Sequence, residues 1–242
     1  MAVYDSYIYT SPGGRDCNED AVGEKMLSSG QMFLLADGLG GHQRGELASR
    51  CVVEAMKHAP EPEEDQDLLQ WLAQQVQYTN DKLLELRAST HWGMKSTLVA
   101  LLLRDDRATW AHVGDSRLYY FHGGRLEFVT SDHSVAFAKY KREEITRGQI
   151  ARDEDQSSLL RALGNPERYQ PDLGQSQENV QPGDGFLLCS DGVWEYLYDE
   201  EILIDLLKTE TAQEWGEMLL LRVMERVQSG NDNLSLIAVR AV

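Results

Sequence analysis

Apolar residues run unbroken through Met32-Phe33-Leu34-Leu35-Ala36 and then meet Asp37, with Gly38, Gly40 and Gly41 close behind. Such a run, ended by a turn signal, predicts a buried strand. Tyr7 to Tyr9 predicts a shorter strand before it. The spacing then changes. Leu47, Cys51, Val52, Ala55, Met56 and Ala59 fall on one helical stripe; Leu69, Leu72, Val76, Leu83 and Leu86 fall on a second. Pro60 to Asp65 breaks the two apart.

The middle of the chain is β-rich. Ser96 to Leu103, Thr109 to Val113, Leu118 to Phe121 and Leu126 to Val129 are short strand-like runs, punctuated by Asp105-Asp106, Gly114-Asp115 and Gly123-Gly124. Turns at that spacing predict an antiparallel meander. Residues 135 to about 175 are polar and weakly periodic, and read as an insertion lying over a sheet. Gly185 to Cys189 and Leu234 to Val239 are two further strands, with helical stretches at Glu200 to Leu207 and Ala212 to Val227 between them. The order predicts one α+β layered sandwich spanning residues 1–242.

Composition narrows the function. A hydrophobic fraction of 42% in 242 residues supports a large core in a single domain. The formal charge of −17 opposes nucleic-acid binding, where phosphate neutralisation dominates affinity. Three cysteines, Cys17, Cys51 and Cys189, fit a reducing cytoplasm better than a disulfide framework. The N-terminal stretch has no signal-peptide pattern, and no apolar run is long enough to insert in a membrane.

The acids are placed in a recurring way. Apolar runs lead into Asp37-Gly38 and Asp191-Gly192; Asp115 joins two strands; Asp232 precedes the last one; Glu19 and Asp20 follow a Pro-Gly-Gly turn and Arg15. Carboxylates gathered at strand ends repel one another unless a cation joins them, and hard divalent cations take such oxygen ligands. An Asp-Gly pair offers a carboxylate and an open carbonyl from adjacent residues. Taken singly, each Asp-Gly also reads as an ordinary turn. Other chemistries lack their residues. Six positions after the cysteines stand Gly23, Lys57 and Glu195, so no Cys-dependent phosphatase loop is present. No nucleotide-binding P-loop, no Gly-x-Ser-x-Gly elbow and no zinc spacing occurs. His58, His91, His112 and His122 read as structural or surface residues.

The ordered set Arg15 to Asp20, Ala36 to His42, Ser96-Thr97, Val113 to Arg117, Ser131 to Ser134, Leu160 to Gly164, Ser190 to Trp194 and Asp232-Asn233 resembles the metal-dependent protein Ser/Thr phosphatases of type 2C. The resemblance is to small stand-alone bacterial members, some of which oppose Ser/Thr kinases, including those of type VI secretion systems. It implies a four-layer α-β-β-α sandwich with two central antiparallel sheets, and a flap at about 135–175. It also implies hydrolysis of phosphoserine and phosphothreonine on proteins by a metal-bridging hydroxide, and a cytoplasmic monomer. Two tightly bound Mn²⁺ or Mg²⁺ ions would be held by Asp37, the Gly38 carbonyl, Asp191 and Asp232. Glu19 and Asp20 would hold metal-bound waters. Asp115, with Asp191, would hold a third, weaker ion, and Arg15 would bind the substrate phosphate. Two departures stand out. Lys95-Ser96-Thr97 replaces the common Gly-Thr-Thr, and Leu39 stands where eukaryotic members carry a histidine acid. His42 or water is then the proton donor. Cys17, between Arg15 and Asp20, reads as a tolerated small residue, or else as a thiol activated by Arg15. A two-metal phosphodiesterase and a catalytically silent metal-binding regulator are the competing readings.

Overall fold

A computed structural model describes residues 3–40 and 44–242. In chain order the elements are β1 (Tyr4–Ser11), β2 (Asp20–Leu27), β3 (Gly30–Leu39), α1 (Gly45–Lys57), α2 (Leu68–Thr90), β4 (Lys95–Ser96), β5 (Leu98–Arg104), β6 (Arg107–Val113), β7 (Arg117–His122) and β8 (Arg125–Val129). There follow α3 (Val135–Lys141), a 3₁₀ turn (Arg147–Arg152), β9 (Asp172–Gln175), β10 (Gly185–Cys189), α4 (Asp191–Trp194), α5 (Asp199–Lys208), α6 (Ala212–Arg226) and β11 (Leu234–Ala241). One sheet is ordered β1-β11-β10-β7-β8 and the other β2-β3-β5-β6-β9, with β4 on the end of β3. The paired strands are antiparallel.

Strand alternation explains the layers. In β3, Phe33 and Leu35 face the second sheet, while Met32, Leu34 and Ala36 face α1 and α2. In β5, Val99, Leu101 and Leu103 point inward between the sheets; Leu98, Ala100 and Leu102 point toward the same helices. β7 does the same on its side: Leu118 and Tyr120 meet the opposite sheet, and Tyr119 and Phe121 meet α5 and α6. A central strand sandwiched this way has no solvated face, so it reads as a continuous apolar run even in an antiparallel sheet. The α-β-β-α architecture expected from the sequence is therefore present, with one core between the sheets and one under each helical layer.

Several bounds differ from the sequence reading. The run from Ser96 to Leu103 breaks at Thr97, whose backbone turns to bond Asp37. β2 and β9 were not expected: β2 carries polar residues on its exposed edge, and the four-residue β9 has little apolar content. The expected insertion at 135–175 is partly regular. Phe137 of α3 and Ile150 of the 3₁₀ turn pack into the core beneath α5 and α6, and the segment ends by adding β9 to β6.

Candidate active site

The strand-end acids gather at one end of the sandwich. Pairing of β2 with β3 puts Asp20 opposite Asp37. Thr97 then fixes Asp37 from both sides of its backbone. The Asp37 N–H donates to Thr97 Oγ1 at 2.8 Å, and the Thr97 N–H donates to the Asp37 carbonyl at 2.8 Å. Thr97 Oγ1 also bonds Ser116 Oγ at 2.8 Å, which ties Asp37 to the turn carrying Asp115. That turn is held further by Trp194, whose Nε1–H donates to the Asp115 carbonyl at 2.9 Å, and by His133, whose Nδ1 accepts the Gly114 N–H at 3.1 Å. The Arg117 guanidinium lies 3.6 Å over the Trp194 ring and makes a two-pronged pair with buried Asp132 at 2.8 and 2.7 Å.

Asp191 begins α4, where its carboxylate accepts the Gly192 N–H at 2.7 Å. The Ser190 hydroxyl before it donates to Asp20 at 2.8 Å. Asp232 accepts Arg15 Nη2 at 2.9 Å across an exposed ion pair. Asn233 binds the N-terminal segment by donating to the carbonyls of Pro12 and Cys17, each at 2.9 Å, and accepting the Glu19 N–H at 2.8 Å. Glu19 in turn accepts the Gly45 N–H at the start of α1. Asn233, Thr97, Ser116, Ser190 and Trp194 were quoted within the sequence motifs but carried no predicted role; their function is to orient the acids.

The glycines have a steric reason that sequence alone did not show. A Cβ on Gly38 would stand 2.0 Å from the Gly45 carbonyl oxygen, and one on Gly192 would stand 2.0 Å from the Asn233 carbonyl oxygen. Each Asp-Gly therefore admits a neighbouring backbone where a side chain would collide with it.

Electrostatically the site is strained by its own charge. Burial, followed by the repulsion of Asp20, Asp191, Asp115 and Asp232, pushes the Asp37 carboxyl well up from its ordinary value. Burial raises Asp20 to about 7, with Asp191 and Asp232 adding to it and the Ser235 and Ser190 hydroxyls opposing. Burial and Asp232 raise Asp191 to about 6, and burial and Asp191 raise Asp115. Burial raises Glu19 as well. Glu195, absent from the sequence prediction, belongs to the same field: burial and the charges of Asp191, Asp115 and Asp232 lift it to about 9, and the Gln156 amide of the flap bonds it. Among the described residues no three acid, histidine or cysteine side chains close into a metal cage on their own. The donors are nonetheless all oxygen and mutually repelling, with Arg15 the partner at Asp232. That donor set fits hard divalent cations whose remaining ligands are waters.

Cys17 does not meet Arg15. Its thiol sits 3.3 Å from Glu46, and burial together with that carboxylate pushes its pKa up, against the activated-thiol reading. Lys95 is exposed at the head of β4. His42 lies outside the described residues.

Residues 14–226 match the protein phosphatase 2C family. The chain belongs to that family. PhpP of Streptococcus pneumoniae is 30% identical over 78% of this chain and 78% of its own length. PstP of Mycobacterium tuberculosis is 32% identical over 93% of this chain, which spans 42% of PstP. The catalytic domain of PstP, solved in complex with two manganese ions, superposes with a TM-score of 0.85 at 29% identity over 100% of each chain. PppA of Pseudomonas aeruginosa, described as a regulatory component of the type VI secretion system, superposes with a TM-score of 0.82 at 27% identity, over 99% of this chain and 98% of its own. The chain is thus a metal-dependent protein Ser/Thr phosphatase of type 2C.

Proposed function

We propose that Asp37, the Gly38 carbonyl, Asp191 and Asp232 hold two Mn²⁺ or Mg²⁺ ions, and that Asp115 with Asp191 holds a third, weaker one. When bound, such ions lower the pKa of water to near neutrality and offset charge on phosphoryl oxygens. Glu19 and Asp20 would hold waters on the bound ions by accepting hydrogen bonds from them. Arg15, more than half exposed and anchored on one side by Asp232, turns its remaining N–H donors to the substrate phosphate. Thr97 and Trp194 hold the backbones of Asp37 and Asp115 in place. With Leu39 unable to donate a proton, the leaving alkoxide takes one from water or from His42.

The observation that carries this reading is the set of carboxyls on Asp20, Asp37, Asp115 and Asp191, each raised chiefly by burial and further by the other acids. Such a set is held in its ionised form by cations. The substrates are phosphoserine and phosphothreonine on proteins, and the enzyme opposes a Ser/Thr kinase in the cytoplasm, acting as a monomer. Among the described residues no helix is long and apolar enough to cross a membrane. The likeness to PppA supports a secretion-system role as one setting for that antagonism. Hydrolysis of a phosphothreonine peptide with and without Mn²⁺, alongside a DNA substrate, tests the reading. Release of phosphate only with metal, and only from the peptide, is expected; metal-independent release, or cleavage of DNA, overturns it.

A further inference from the structure

Beside the acids lies a second cleft, of ≈ 750 Å³, between the flap's 3₁₀ turn, the α4–α5 connection and the C-terminal end of α6. Glu195, four residues after Asp191, and Gln228, four before Asp232, line it, so it opens alongside the catalytic end. In a chain of net charge −17 its walls hold four arginines: Arg117, Arg147, Arg152 and Arg226. Three are fixed by carboxylates. Arg117 is bound by Asp132, Arg147 pairs with Asp199 at 2.7 Å, and Arg226 bonds Glu201 at 2.6 and 2.5 Å. Arg117 also gives Nη1 to the Tyr119 hydroxyl, and Arg226 gives Nη1 to the Tyr196 carbonyl as well, so these two are largely spent within the fold. Arg147 Nη2 is buried and, although within ion-pair reach of Asp199, makes no well-formed hydrogen bond. Arg152 is exposed, and among the described residues no ion pair neutralises it. The volume falls in the range of ligand clefts.

We propose that this cleft is a subsite for an anionic side chain next to the phosphorylated residue of the substrate, a carboxylate or a second phosphate, with Arg152 as its main electrostatic contact. The proposal rests on the phosphatase reading above. A substrate chain bound with its phosphate at the acids must lay neighbouring residues on the surrounding surface. The chain's net charge of −17 repels acidic sequence in general, and within the cleft the exposed Arg152 is the charge left to attract it. Glu200, also on the rim, limits the attraction and favours a ligand that reaches past it to Arg152.

Three phosphothreonine peptides differing at one neighbouring position, Ala, Glu or phosphoserine, test the subsite through the ratio of their kcat/KM values. Acid-flanked peptides are expected to be hydrolysed about 10-fold more efficiently, mainly through KM, with the advantage shrinking as salt rises. Arg152→Glu should bring the ratio to about one, and Arg152→Lys should keep most of it. Equal kcat/KM values in the natural enzyme, or an advantage undiminished in Arg152→Glu, overturn the proposal. Fluorescence anisotropy of the same peptides with the Asp37→Asn chain reads the cleft without turnover. If no peptide is hydrolysed the phosphatase reading fails, while the subsite still stands or falls on whether the acid-flanked peptide binds about 10-fold tighter and loses that margin on adding Arg152→Glu.

Discussion

Asp37 sits where four other acids of the site act on it. Burial and then Asp20, Asp191, Asp115 and Asp232 all raise its pKa, so its ionisation depends on bound cations. Asp37→Asn is expected to lower phosphopeptide turnover at least ~10³-fold; a near-normal rate in steady-state assays would remove it from the metal site. Asp115 is held by its carbonyl to Trp194 and shares its field chiefly with Asp191. Asp115→Ala should leave the tight metal pair in calorimetric titration while depressing turnover, and loss of the tight pair would contradict the third-site role. Cys17 carries a thiol with a raised pKa beside Glu46, so little thiolate forms at neutral pH. Cys17→Ser is therefore expected to be as sensitive to peroxide as the natural chain, measured as residual activity after timed exposure.

The elements matter here through how closely their ends approach. β3 and the start of α1 meet at Gly38 and Gly45, and α4 meets the start of β11 at Gly192 and Asn233. Both junctions place a glycine against a backbone carbonyl, which cannot move aside as a side-chain tip can. Gly192→Ala is expected to destabilise the chain by ~1–3 kcal/mol, as overpacking does in well-packed interiors. Gly93→Ala, where a Cβ meets nothing within 4 Å, should be near neutral. Urea midpoints of the two variants check the contrast; equal shifts would mean that the α4–β11 junction relaxes freely. The segment from 135 to 175 is likewise fixed as an element. Phe137 and Ile150 anchor it in the core, and Gln156 ties it to Glu195.

At the scale of the whole molecule, the site's repulsion is a cost the fold carries whenever cations are removed. Asp20 and Asp191 have folded-state pKa values of about 7 and about 6, above the ordinary carboxylate value near 4. A raised acid binds its proton more tightly in the folded chain than in the unfolded one. Its contribution is fully present below pH ~4 and is lost as pH rises through 6 and 7. In EDTA the melting temperature should therefore fall across that window, by about 2–4 °C for each kcal/mol lost in a chain of this size. Added Mn²⁺ should restore it most at the upper end, since ligand binding stabilises the folded state and metal competes with protons for these groups. A metal-free melting temperature that rises from pH 5 to 7.5 would contradict the sign.

The sequence alone determined which acids stand at strand ends and the broad layering. Asp37 and Asp191 follow apolar runs, and a run buried on both faces leaves the core only at its end, so each acid comes at the end of its own strand; that the two strands, in different sheets, end on the same side was decided by the fold. The helical stripes of α1 and α2 were readable because one face meets a sheet and the other meets water. β2 and β9 were not, because an edge strand's residues are set by solvent and by its single neighbour, leaving little alternation to detect. Only the tertiary structure decided what Thr97, Trp194, Asn233 and Glu195 do. Their partners lie 60, 79, 216 and 39 residues away, and a hydrogen bond over such separations leaves no periodic trace in either segment. The same holds for the glycines: an Asp-Gly pair announces a turn, but the carbonyl that forbids a Cβ belongs to another element and is brought there by the fold.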